Sequence, residues 1–221
     1  VGATGVRMAA YEKQDWAAGY DVIIHDECSE AVREAEYLQK ILDVHKTIPA
    51  VNLHCTMHCY RWGNFREPVQ RGADNAKWFE MIGLQSTGHG PQEPIAVRFI
   101  QPDHPATKGL SNWTTIKEEL YNNIQIFDTA TVLARGTQIV PGRDGATREV
   151  EAAVVWVNNY HGTRIFSTSL GHNTATVEDG RYLDLVTRGL LWACDKLNDT
   201  YLKKLAPALQ EAAQHQIGRA S

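Results

Sequence analysis

The chain has 221 residues, 43% of them hydrophobic and 22% charged, with a net charge of -4. That is enough chain for one well-filled core and too apolar for disorder, and without a Lys/Arg cluster it offers no face for nucleic acid. No apolar run nears the roughly 20 residues that cross a bilayer, so no membrane partner is expected, and four cysteines are too few for a disulfide framework.

Residues 20–24 (YDVII) read as a short buried strand, followed by the polar loop His25, Asp26, Glu27, Cys28. Ser29 is placed to cap a helix in which Ala31, Ala35, Leu38, Ile41 and Leu42 recur at helical spacing. Residues 48–53 (IPAVNL) form a second buried strand, and the whole has the length of a βαβ unit. Residues 63–92 are rich in Gly, Pro and polar side chains, with one short helix near 75–82. They are expected to be a mobile or irregular cover over the sheet edge that carries His89.

Residues 95–100 and 130–134 read as strands, 104–110 as a turn-rich connection, and 116–121 as the lead into an irregular stretch. Residues 152–158 and 164–169 form a strand pair joined by a turn at Tyr160, His161 and Gly162, with Trp156 in the core. The last strand runs into Gly171 and His172. A helix follows over about 180–197, with Cys194 as a small buried apolar group, then a second helical pattern to about Gln214 and a frayed end. Strands alternating with helices favour a mostly parallel sheet covered on both faces. In such sheets the working residues lie beyond the carboxyl ends of strands, which selects the loops 25–28, 54–59 and 171–173.

Several chemistries are excluded. Gly2, Ala3, Thr4, Gly5 lacks the third glycine and acidic partner of a dinucleotide loop. No G-x-S-x-G, P-loop or Cys-His-Glu triad is present, so glutamine hydrolysis is not supported. His54, Cys55, His58 and Cys59 are four zinc-ligand types in six positions, but the Cys-x3-Cys spacing without a second pair does not suit a closed structural site. Cys55 and Cys59 are read as packing thiols.

Four segments carry a family resemblance: VVWVNNYHGTRIFSTSLGHN followed by RGLLWA, AVNLHCTMHCYR, WFEMIGLQSTGHGP, and DHPATKGL followed by EELYN. In their joint order they resemble the trehalose-utilisation (ThuA-like) family, a branch of the class I glutamine-amidotransferase-like folds. Two departures stand out. A stub over residues 1–16 replaces the family's first strand and helix, and Cys55 replaces the serine after the family's histidine.

The resemblance implies a flavodoxin-like three-layer α/β sandwich with a mostly parallel central sheet. It would be a single domain over residues 1–221, with a core of about 20–197 and a helical tail over 198–221. It also implies a protein of carbohydrate catabolism whose partner is a small-molecule carbohydrate, a disaccharide or keto-sugar derivative. His54 and His172 would be base and acid, or would hold a divalent metal such as zinc. Glu119, Tyr121, His89, Trp62 and His161 would bind the sugar, while Glu118 is expected to be solvated. The alternative reading is a non-catalytic sugar-binding or assembly module. A homo-oligomer is compatible with either reading, and cytoplasmic and exported locations read alike.

Overall fold

Buried runs of Val, Ile and Ala set a seven-stranded sheet in a computed structural model that describes residues 11–30, 32–142 and 145–200. The Gly2–Gly5 motif, the first ten residues of the stub, Ala31, the helical pattern towards Gln214 and the frayed end lie outside the described residues. The strands are β1 (Ile23–His25), β2 (Ala50–Asn52), β4 (His89–Phe99), β5 (Trp113–Tyr121), β7 (Ala130–Pro141), β8 (Thr147–Tyr160) and β9 (Thr163–Thr168). Two further strands, β3 (Leu84–Gln85) and β6 (Gln125–Ile126), pair separately. The helices are α1 (Ala35–Val44), α2 (Lys77–Ile82), α3 (Thr174–Val177) and α4 (Gly180–Ala193). Short 3-10 turns cover His54–His58 and Asp74–Ala76.

The strand order is β1-β2-β9-β8-β7-β4-β5. Only β1–β2 and β2–β9 pair in parallel; the other four pairings are antiparallel. This corrects the expected mostly parallel, flavodoxin-like sheet to a mixed one, with parallel order confined to three strands. The reason is connectivity. Parallel neighbours need a crossover of a dozen or more residues, and α1 supplies one between β1 and β2. By contrast β8 and β9 are joined at His161 and Gly162, and the 100–112 link between β4 and β5 carries no helix to cross the sheet. The outer parts of β4 and β8 expose Gln, Glu, Arg and Thr side chains, which is why these strands are longer than their buried runs suggest.

The pleat sends adjacent residues to opposite faces. Ala50 and Ile165 join Tyr37, Leu38, Ile41 and Leu42 of α1 in one core, while Val51 and Phe166 join Tyr182 and Leu185 of α4 in the other. Helices therefore cover both faces, in three layers. Trp156 is fully buried, as expected, and its Nε1 donates to Ile82 O at 2.6 Å. The segment before β4 is mostly irregular with one short α-helix, as expected, but it is not a loose cover: Trp78, Phe79, Met81 and Ile82 of α2 are fully buried core residues, and residues 89–92 already belong to β4. α1 begins at Ala35 rather than after Ser29. Ser29 is buried instead, with its N–H on Cys59 Sγ and its carbonyl accepting from Tyr60 N.

The His25 loop turns inward. His45 Nδ1 donates to Ile48 O at 2.9 Å, so its Nε2 must accept from His25 Nε2, 2.7 Å away. Both rings are fully buried, and the Glu27 carboxylate lies 3.1 Å from the other nitrogen of His25. Burial, then the neighbouring His25, pushes His45 down to about 3. Burial alone would raise Glu27, but the charge and hydrogen bond of His25 bring it down to about 2.

Both groups hold fewer protons folded than unfolded, so their contribution is present in full above pH 6.5 and is lost on acidification. His45 is expected to act from 6.5 towards about 3, and Glu27 from 4.5 towards about 2. Thermal melts across this range should show a falling Tm, with a shallower fall from pH 6.5 to 4.5 in His45→Gln. An unchanged slope in that variant would refute the assignment. On the other face, a Cβ at Gly189 would stand 2.4 Å from the Phe166 ring. Gly189→Ala is therefore expected to cost about 1–3 kcal/mol through overpacking, read by denaturant unfolding.

Candidate active site

Two histidines leave buried strands on the same sheet edge. His54 follows β2 and opens a 3-10 turn; His172 follows β9, which pairs with β2 in parallel. Gly171, at φ 112°, turns the chain between β9 and His172, and a Cβ there would meet the Tyr182 hydroxyl at 2.6 Å. The two imidazole centroids lie 5.2 Å apart.

The sheet curls so that its far edge strand, β5, reaches them. Glu119 and Tyr121, two residues apart on β5, share a face. Glu119 Oε2 lies 3.3 Å from His54 Nε2, 3.1 Å from His172 Nδ1 and 3.4 Å from His89 Nε2. The Tyr121 ring packs edge-on to His54 at 5.2 Å. One carboxylate oxygen is thus ringed by three imidazole nitrogens. His54 and Glu119 form the buried back of the cluster, with 4% and 8% of their side chains exposed, while His89 and His172 are about one-third exposed at its front.

Backbone carbonyls fix two of the rings. His54 Nδ1 donates to Ser169 O at 2.7 Å and His89 Nδ1 to Gly90 O at 2.9 Å, so in the neutral form of either ring Nε2 would be a bare lone pair. Burial, above all, holds His54 below the usual histidine range. Gln92 Nε2 donates to Glu119 Oε1 at 3.1 Å and to His172 Nε2 at 2.9 Å, which leaves the hydrogen of His172 on Nδ1.

A second chain of contacts fixes Tyr121. Arg61 carries only donors; its guanidinium meets Glu30 at 2.8 Å, Thr87 O at 3.0 Å and His58 Nδ1 at 3.3 Å. His58 must then donate from Nε2 to the Tyr121 hydroxyl oxygen. The phenol's own hydrogen is left to point away from His58. Burial, then the Arg61 charge, pushes His58 down to about 4. Burial, then Glu119, raises Tyr121 well above the ordinary phenol range.

Of the residues singled out from sequence, His54, His172, Glu119, Tyr121 and His89 meet here. Trp62 packs half-buried against the core under α1 and α2. His161 stands in the β8–β9 turn beside Tyr160, separated from the cluster by the length of β9, roughly 20 Å of strand. His104 packs against Trp192. Cys59 packs as expected, its Sγ donating to Glu27 O at 2.8 Å, and burial pushes Cys55 up to about 12. Glu118 is a correction: it is fully buried rather than solvated, and accepts from His172 N at 3.1 Å and Asn173 N at 3.0 Å. Sequence reading also passed over Gln92 and Arg61, and weighed His58 only as a zinc-ligand type. An HCYR run next to the His54 turn was the only local signal for the last two.

A cavity of about 580 Å³ adjoins the cluster, with His89 and Tyr121 in its wall together with Asn122, Gln138, Arg148 and Glu151. Among the described residues no helix is long and apolar enough to cross a membrane.

A family model described as trehalose utilisation (ThuA) matches residues 68–193. No curated protein matches the chain by sequence. Among solved structures, a protein described as ThuA-like from Parabacteroides merdae is 21% identical, with a TM-score of 0.57 over 79% of this chain and 70% of that one. Another from Bacteroides uniformis is 16% identical, with a TM-score of 0.56 over 79% and 69%. A cytoplasmic protein of Salmonella typhimurium is 13% identical, with a TM-score of 0.50 over 79% and 72%. At these identities the likeness is one of fold.

Glu118→Gln keeps the shape but turns an amide donor towards two backbone donors. The expected cost is about 1–3 kcal/mol of stability, with a shift in the His172 imidazole resonances. A variant as stable as the wild type would remove Glu118 from its anchoring role.

Proposed function

The chain belongs to the trehalose-utilisation family, and from that premise we propose that it is an enzyme of carbohydrate catabolism. It acts on a disaccharide or keto-sugar derivative at the cluster of His54, His172, Glu119 and Tyr121. The observation that carries this reading is the meeting of three imidazoles and a phenol around one buried carboxylate oxygen.

A keto-sugar suits such a site. Its carbonyl acidifies the neighbouring C–H, so isomerisation or elimination needs an electrophile at the carbonyl oxygen and an acceptor for the carbon-bound proton. His54 offers a lone pair at the buried back of the cluster. His172, at the open front, offers an N–H that re-equilibrates with solvent. Glu119 and the free hydrogen of Tyr121 suit sugar hydroxyls, and the adjoining cavity is of a size that accepts a sugar unit. Glutamine hydrolysis forms no part of this reading, because burial, then Cys28, keeps the Cys55 thiol protonated.

Incubating the purified protein with trehalose, sucrose, lactose and their 3-keto forms, followed by NMR, tests the proposal. Consumption of a keto form is expected. Saturable binding with no product would support the non-catalytic sugar-binding module instead. In the active case, His54→Ala and His172→Ala should each lower kcat/KM by about 100-fold or more with circular dichroism unchanged. The double variant should be little worse than the poorer single one. Full activity in either single variant would sink the assignment.

A further inference from the structure

We infer that the cluster binds one divalent first-row cation of the zinc class, through His54 Nε2, His172 Nδ1 and Glu119 Oε2. The inference rests on the reading of this cluster as the reacting centre and changes what the imidazoles do there.

The first argument is a shortage of hydrogens. Ser169 O and Gly90 O are acceptors only, so the Nδ1 atoms of His54 and His89 carry the ring hydrogens. Their Nε2 atoms face Glu119 Oε2 at 3.3 and 3.4 Å. In a neutral His54 ring, that nitrogen presents a lone pair to a carboxylate oxygen, in a place where the side chain is 4% exposed. Buried acceptors that converge without a hydrogen between them repel, and a positive centre relieves the repulsion. A ring held by a backbone carbonyl at Nδ1 with Nε2 presented inward is also how proteins prepare histidine for a metal.

The second argument is spacing. Ligand atoms bonded at about 2.0–2.2 Å to a tetrahedral or octahedral cation stand roughly 3.0–3.5 Å from one another. The carboxylate oxygen lies 3.3 Å from His54 Nε2 and 3.1 Å from His172 Nδ1, and the three side chains offer one ligand atom each within 4.8 Å of one another. Two imidazoles and one carboxylate suit zinc and its first-row neighbours, whereas calcium and magnesium take oxygen ligands. Because the back of the cluster is closed and the front is partly exposed, the site leaves coordination positions open, as catalytic rather than structural sites do.

Occupation has one local requirement. His172 Nδ1 must release its hydrogen, Nε2 must carry it, and the Gln92 amide must turn to accept it, losing the bond to Glu119 Oε1. The two ends of an amide have the same shape, so no backbone movement is needed. A cation so held would polarise a sugar carbonyl placed at its open position.

The test uses untagged full-length protein, dialysed against chelator and then titrated with zinc or cobalt(II). One equivalent of bound metal is expected, with a cobalt absorption band of nitrogen–oxygen ligation. Affinity should fall at least tenfold in His54→Ala and in Glu119→Gln, and be unchanged in His161→Ala, in the distant turn. In the wild type, 15N imidazole spectra should show His54 Nε2 moving to a metal-bound shift on zinc addition, a readout independent of whether the variants fold. Absent stoichiometric binding would overturn the inference. So would a His54 ring doubly protonated at neutral pH and indifferent to zinc. Turnover of keto-sugar without metal would leave the proton chemistry standing and remove the cation. Metal binding without turnover would keep the cation and remove the substrate.

Discussion

The buried carboxylate of Glu118 holds together the sheet edge that carries the histidine cluster. It lies on β5, the last strand in the sheet order, and accepts hydrogen bonds from the backbone N–H groups of His172 and Asn173, which follow β9 in the middle of the sheet. A charged acceptor removed from water needs good partners, and two amide donors at the start of α3 supply them. The contact ties the far edge of a curled sheet to its centre. The next residue along β5, Glu119, is thereby brought within 3.1–3.4 Å of three histidines drawn from three separate elements. Neighbouring carboxylates on one strand thus do different work: one fixes backbone, the other faces the open cluster.

Protonation around Glu119 is set by groups that have no choice of role. Carbonyl oxygens accept from His54 and His89, and the Arg61 guanidinium donates to His58. Each ring's tautomer follows, and so does the direction of the Tyr121 hydroxyl hydrogen. These outer partners are main chain or a guanidinium, so they keep a single hydrogen-bonding role. Preorganisation of this kind gives a reacting centre its value, since the groups do not have to be reoriented at the moment of reaction.

Residues that stand directly after buried strands were legible from sequence. His54 follows IPAVNL and His172 follows RIFSTSLG, and a buried strand fixes where its last residue points. Glu119 and Tyr121 were picked out by the family resemblance of the EELYN segment, not by strand periodicity. Glu118 was misread because a Glu beside exposed Lys117 carries no local sign of burial; its partners lie 54 and 55 residues later. Gln92 was hidden in a Gly- and Pro-rich stretch that looks like loop but enters β4. The direction of the sheet was misread for a related reason. Periodicity shows strands, but parallel or antiparallel pairing depends on connections, and β9 slots between β2 and β8 from far along the chain.

That insertion bears on how the molecule is made. Among the described strands β1 and β2 are synthesised before the others, but the other side of β2 has to wait until Thr163–Thr168 has left the ribosome. Among the described strands, a central one is thus the last delivered. Such late, long-range closure is slow and leaves hydrogen-bonding edges exposed in the meantime. Three-residue β1 and β2 limit that exposure, because so short an edge gives a neighbouring nascent chain little to pair with. His54 is translated more than a hundred residues before the carbonyl of Ser169 that fixes its ring, so a chain halted before β9 has His54 but lacks the assembled cluster.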